Sequence, residues 1–134
     1  MQTTANPFYA ARMNRFRQSR TADRSFEVLD LFSGIGGFSL GLERSGMKTA
    51  AFCEIDPFCR DVLTAHWPTT RIYDDIKQLS KRRLDHDSIP HIDLICGGYP
   101  CQPFSIAGKR RGESDPRHLW PEMHRIIREV RPRW

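Results

Sequence analysis

The sequence predicts an α/β fold: a parallel sheet with flanking helices. Two observations predict it. Short aromatic and aliphatic runs alternate with segments of helical spacing, and a glycine cluster stands at the junction of the first such pair. A strand, its right-handed crossover and the next parallel strand need roughly 30 residues, so three to four such units fit. At 134 residues the chain is one domain or less.

Phe26 to Phe32 reads as a short buried strand, and Ser33-Gly34-Ile35-Gly36-Gly37 breaks it. Phe38 to Ser45 has helical spacing, with Gly46 as its stop. Lys48 to Cys53 is a second strand. Pro57 opens the next helix, with Phe58, Val62, Leu63 and His66 on one side, and Trp67-Pro68 ends it. Arg71 to Tyr73 is a third strand. Ile76 to Leu84 reads as a short helix or an irregular stretch, Asp85 to Pro90 as loop, and Ile92 to Cys96 as a fourth strand. Gly97 to Arg117 is irregular, rich in Gly, Pro and charge. The last helix runs from Leu119 to Val130, with Met123, Ile126, Ile127 and Val130 as its apolar stripe. Arg133-Trp134 then falls where such a fold starts another strand.

Hydrophobic residues make up 39% and charged residues 28%, a globular balance that argues against wholesale disorder. No apolar run reaches the roughly 18–20 residues that span a bilayer, which excludes a transmembrane reading. The net charge of +5 lies mostly in residues 1–24, where five arginines face only Asp23. That segment reads as a basic, disordered arm; a transit peptide, a DNA-contacting arm and an upstream translation artefact are the alternatives. Residues 25–134 form the folded body. Its charge is nearly balanced, so the high pI is no argument that the body binds nucleic acid. Cys53, Cys59, Cys96 and Cys101 lack the two-residue spacing of a zinc knuckle, and no metal site is expected. Free thiols fit them better than a disulfide framework.

Four elements carry chemistry. Asp30-Leu31-Phe32-Ser33-Gly34-Ile35-Gly36-Gly37 lets a ligand approach backbone at a helix N-terminus, although a purely structural turn explains it equally well. Ser39 stands where the dinucleotide fingerprint has its third glycine, which argues against an oxidoreductase. Glu54-Ile55-Asp56 follows the second strand. Glu54, 20 positions beyond Gly34, suits ribose hydroxyls; a solvated carboxylate is the alternative. Asp74-Asp75-Ile76 suits an adenine, Asp75 accepting from the exocyclic amine and Ile76 packing on a ring face, or else caps a helix. Gly97-Gly98-Tyr99-Pro100-Cys101-Gln102-Pro103-Phe104-Ser105 sets a cysteine between prolines just past a strand's carboxyl end, where open α/β sheets place active sites. Cys101 therefore reads as a nucleophile, and Cys96, inside the strand, as an inert thiol.

In this order these elements resemble the cytosine-C5 DNA methyltransferases, from the Asp-Leu-Phe-Ser-Gly-Ile-Gly-Gly-Phe motif through the Pro-Cys-Gln loop to the helix at Ile126-Ile127-Arg128. The resemblance covers Phe26 to Trp134. It implies part of a Rossmann-like, S-adenosylmethionine-dependent methyltransferase sheet. Phe32 would flank the cofactor, and Ser33, Gly34, Ile35 and Gly36 would line its methionine part. Glu54 would hold the ribose, Ile55 would pack on adenine, Asp75 and Ile76 would hold the adenine edge, and Pro100 would complete the contacts. Cys101 would attack C6 of a cytosine flipped out of double-stranded DNA. Gln102, Ser105, Lys109, Arg110 and Arg111 are DNA-contacting candidates, with a solvated charge run as the alternative for the last three.

The family's Glu-Asn-Val strand, its later motifs and its target-recognition domain do not occur in these residues. The resemblance thus matches the N-terminal part of a catalytic domain and implies little or no activity for the chain alone. A second chain supplying the missing half is one expectation, and a gene fragment the plainer one. A prokaryotic or phage-encoded cytoplasmic protein associated with restriction and modification is the expected setting. A non-catalytic S-adenosylmethionine-binding or nucleotide-binding module and a basic nucleic-acid adaptor are the competing classes.

Overall fold

A computed structural model describes residues 25–99 and 119–134. Its elements run β1 (Glu27–Leu31), α1 (Gly37–Arg44), β2 (Lys48–Cys53), α2 (Pro57–His66), β3 (Arg71–Tyr73), α3 (Lys81–His86), β4 (Leu94–Gly97) and α4 (Trp120–Val130). The four strands form one parallel sheet in the order β3-β2-β1-β4. The chain walks outward from β1 to β3 and then crosses to the other side of β1. That reversal makes a switch point between the carboxyl ends of β1 and β4.

Strand alternation sorts the core into two faces. Leu29 and Leu31 of β1, Ala51 and Cys53 of β2, and Tyr73 share one cluster with Leu84 of α3 and with Met123, Ile126 and Val130 of α4. On the opposite face Asp30 meets Ser39 of α1, and the Phe52 ring lies 5.1 Å from that of Trp67, just past α2. Helices thus cover both faces, and β1 is buried along its whole length.

The elements sit close to their predicted bounds, and the departures are local. β1 stops at Leu31, because Phe32 turns into the left-handed region at φ 53°. β4 starts at Leu94, two residues late, although Ile92 is buried. Lys81–His86 is a helix that runs into the predicted loop, capped by the Ser80 hydroxyl, which accepts from the Arg83 N–H. Phe58 is 71% exposed, contrary to the expectation of an apolar helix side, and Leu63 is the buried residue of α2. Phe58 stands in the first turn, beyond the end of the sheet.

Residues 133 and 134 run beside β4 but form no strand of their own. The Trp134 N–H donates to Asp93 O and the Ile95 N–H donates to Trp134 O, each at 3.0 Å. This alternation is that of a parallel pair.

Candidate functional site

The site grows from the turn after β1. The Ser33 hydroxyl donates to Asp30 O at 2.6 Å and its N–H to Cys53 O, so this buried serine pins the turn to β2. Gly34 and Gly36 have φ of 54° and 89°, values that side chains rarely adopt. Gly36 has a second constraint: a Cβ there would stand 2.6 Å from the Trp67 ring. Ile35, between them, is 60% exposed.

Glu54 closes onto this turn. Its Oε2 accepts from the Gly34 N–H at 2.7 Å, and its Oε1 from the Asp56 N–H at 2.8 Å. A carboxylate has further lone pairs, so both contacts leave capacity for a ligand's hydroxyls. Asp56 is committed elsewhere, as the N-cap of α2, accepting from the Phe58 and Cys59 N–H groups. Ile55 is 71% exposed, a bare apolar surface beside the carboxylate.

Beyond β3, Asp75 Oδ1 accepts from the Lys77 N–H at 2.9 Å; the residues after it form a turn and not a helix, so Asp75 caps no helix. Ile76 departs from expectation. Its side chain is 5% exposed and belongs to the core cluster, so it offers no face to a ring. It follows the chain inward once β3 ends, and that leaves Ile55 as the exposed aliphatic residue. Burial, and then the charges of Asp75, Glu54 and Asp74, push the Cys53 thiol up to about 12. The three carboxylates thus converge on the carboxyl ends of β2 and β3.

The other wall of the crevice is β4. Gly97 pairs with Leu31, and a Cβ at Gly97 would lie 2.5 Å from Leu31 O, so only glycine lets the two backbones approach. Gly98 follows, with its Cβ position 3.8 Å from the Phe38 ring. Tyr99 and Trp120 bracket positions 100–118, and their ring centroids are 5.6 Å apart. The described residues on either side of the predicted nucleophile therefore meet at one place, next to Gly98 and its neighbour Phe38. Pro100, Cys101, Gln102, Ser105, Lys109, Arg110 and Arg111 lie outside the described residues, as does the arm of residues 1–24.

Beneath the crevice sits Asp30, fully buried. Its Oδ2 accepts from the Ser39 hydroxyl at 2.7 Å, while Oδ1 has no hydrogen-bond partner. Burial pushes this carboxyl above its ordinary range. The neighbouring Cys96 thiol is also pushed up, first by burial and then by Asp30. Cys59 is raised too, by desolvation and the charges of Asp56 and Glu54. The described thiols are all free and all disfavoured as thiolates. Asp30 and Gly97 stood inside the motifs without a role; a carboxyl in an otherwise apolar strand was the readable signal. Arg60 and Arg125 gave no such signal. Among the described residues no cluster of His, Cys, Asp and Glu could hold a metal ion, and no helix is long and apolar enough to cross a membrane.

Residues 26–134 match the family model described as C-5 cytosine-specific DNA methylase. The chain is 40% identical over 111 residues to the type II methyltransferase M.HgiCII of Herpetosiphon aurantiacus, covering 82% of this chain and 24% of that protein. Against M.PspPI of Psychrobacter sp. (strain TA137) the identity is 40% over 112 residues, covering 82% and 26%. Among solved structures it resembles a DNA modification methyltransferase encoded within an E. coli prophage, with a TM-score of 0.68 and 32% identity, covering 81% of this chain and 30% of that one. The DNMT2 of Spodoptera frugiperda gives a TM-score of 0.59 at 28% identity, covering 79% and 32%. The chain spans about a quarter of the length of these curated relatives. With the sheet order, the glycine turn and the converging carboxylates already described, the match over nearly the whole folded body assigns the chain: it belongs to the C-5 cytosine-specific DNA methylase family.

Proposed function

We infer that this chain is the cofactor-binding and nucleophile-bearing part of a DNA (cytosine-5-)-methyltransferase. The observation that carries the reading is the bond from the Glu54 carboxylate to the Phe32–Gly36 turn, with Gly97 and Gly98, the root of the Pro-Cys-Gln segment, packed beside β1 and Phe38. These residues fit S-adenosylmethionine in kind. Glu54 would accept from ribose hydroxyls, Ile55 would cover the adenine, Asp75 would accept from the exocyclic amine through its second oxygen, and Phe32 to Gly36 would take the methionine part. Pro100 would bound the pocket from the nucleophile's side. S-adenosylmethionine, when bound, supplies a methyl group activated as a sulfonium.

Cys101 performs the covalent step. Its thiolate adds to C6 of an extruded cytosine, and the ring electrons move to make C5 enamine-like and able to take a methyl group. Loss of the C5 proton to a base and expulsion of the thiolate then restore the aromatic ring. Gln102, Ser105 and Lys109 to Arg111 would close over the DNA and meet its phosphates. Support for Cys101 also comes by elimination, since Cys53, Cys59 and Cys96 are held toward their protonated forms. Because the chain spans about a quarter of its relatives' length, full turnover on DNA draws on further protein, in the same polypeptide or in a partner chain. The 134 residues alone are expected to transfer little or no methyl group to DNA.

The test is a duplex carrying 5-fluorocytosine, incubated with S-adenosylmethionine and the chain together with its complementing protein. A covalent adduct that disappears in Cys101→Ser supports the reading. S-adenosylmethionine binding with no adduct leaves a non-catalytic cofactor module, and binding of neither ligand overturns both.

A further inference from the structure

The two cofactor-binding segments share a device. Each is an acid followed by an aliphatic residue at the end of a strand, where the chain has left the sheet ladder and its carbonyls need other donors. In each case one arginine donates to them, at Ile76 O alongside the Leu79 N–H, which reaches the same oxygen at 3.2 Å. Arg60 of α2 donates from Nη1 to Glu54 O at 3.1 Å and to Ile55 O at 2.5 Å. Arg125 of α4 donates from Nη2 to Ile76 O at 2.8 Å and from Nη1 to Leu79 O at 2.9 Å.

The second clasp is braced further. Glu122 accepts from Arg125 Nε and Glu129 from Nη1, each at 2.9 Å, so the guanidinium is held in plane from both sides along its own helix. The other oxygen of Glu129 accepts from the Lys81 N–H at 2.9 Å. Two side chains of α4 thus hold three backbone groups between positions 76 and 81. A guanidinium is a rigid planar fork, so it fixes the peptide planes it binds and with them the directions of neighbouring side chains. A lysine ammonium at either position carries the charge without that fork.

We propose that Arg60 and Arg125 are positioning residues for the cofactor: Arg60 sets Glu54 and Ile55 for the ribose, and Arg125 sets Asp75 for the adenine amine. The proposal rests on the assignment of those two segments to S-adenosylmethionine. It also gives α4, which follows the nucleophile segment in sequence, a direct hold on the cofactor pocket.

Calorimetric titration tests it with S-adenosylmethionine and two analogues, one lacking the ribose 2′-hydroxyl and one with hydrogen in place of the exocyclic amine. In the wild-type chain each analogue is expected to bind about tenfold more weakly than the parent, the worth of one charge-assisted hydrogen bond. Arg125→Lys should collapse the penalty for the missing amine to within about twofold and leave the hydroxyl penalty intact. Arg60→Lys should do the reverse. A merely structural role lowers all affinities together and leaves both penalties in place, and that outcome overturns the proposal, as does a joint collapse of both. Should either arginine variant fail to fold, Glu129→Ala, which releases Lys81 and one bond of Arg125, should lower the amine penalty alone; no change there also overturns it. A wild-type chain that binds none of the three ligands defeats the cofactor assignment itself, which is a separate failure.

Discussion

Glu54 illustrates how one side chain serves both fold and ligand. Its two oxygens hold the Gly34 and Asp56 N–H groups and so tie the β1 turn to the end of β2. Glu54→Gln keeps the shape but removes the charge and gives one terminal position donors instead of lone pairs. S-adenosylmethionine should bind about tenfold more weakly, with far-UV circular dichroism unchanged. Cys53 makes a second prediction at this scale. Its thiol is pushed from an ordinary 9.0 up to about 12, chiefly by burial. Above pH 9 the unfolded chain ionises this thiol while the folded chain still holds the proton. The thiol's contribution to stability is therefore complete below pH 9 and is lost as pH rises toward 12. Urea midpoints of wild type and Cys53→Ala should converge across that window, the variant falling less steeply.

At the scale of elements, glycines at three places separate backbone need from mere tolerance. Gly36→Ala meets both a positive φ and the Trp67 ring, and Gly97→Ala meets the backbone oxygen of Leu31. Each should cost about 1–3 kcal/mol in chemical denaturation. Gly41, inside α1 with open space around its Cβ position, should behave oppositely. Gly41→Ala there is expected to stabilise by about 0.5–1 kcal/mol, because alanine loses less backbone entropy in a helix. Equal effects at all three sites would contradict the close approach of β1 and β4 that shapes the crevice.

For the molecule as a whole, β4 matters most, as the outer strand beside β1 among the described residues. Trp134 covers the start of that edge by its bonds to Asp93 and Ile95. Removing Arg133 and Trp134 should speed amide exchange at Ile95 and increase concentration-dependent self-association, because an unpaired strand edge recruits other chains. Hydrogen exchange with mass detection and analytical ultracentrifugation read the two effects. At the opposite edge β3 is only three residues long and opens with exposed Arg71, a charge that discourages such pairing.

Sequence alone determined the alternation of strands and helices, the glycine turn, and the acidic residues at the strand ends. Each is a local property: side-chain periodicity, the φ freedom of glycine, and the place of a carboxylate after an apolar run. It also singled out Cys101, between Pro100 and Pro103, as the candidate nucleophile, and the family motifs were legible there. Only the tertiary structure decided that β4 lies beside β1, that the Ile76 side chain belongs to the core while Ile55 stands bare, and that Arg60 and Arg125 hold the backbone at Glu54–Ile55 and at Ile76 and Leu79. Those facts join residues as many as 66 positions apart, as Glu27 and Asp93 are joined by a backbone bond to a carboxylate. No short window along the chain contains the distant pairs, and even Arg60, six positions from Glu54, has contacts that periodicity does not announce. They are settled by which faces are buried together and by which backbone groups, once outside the sheet, must find a donor elsewhere.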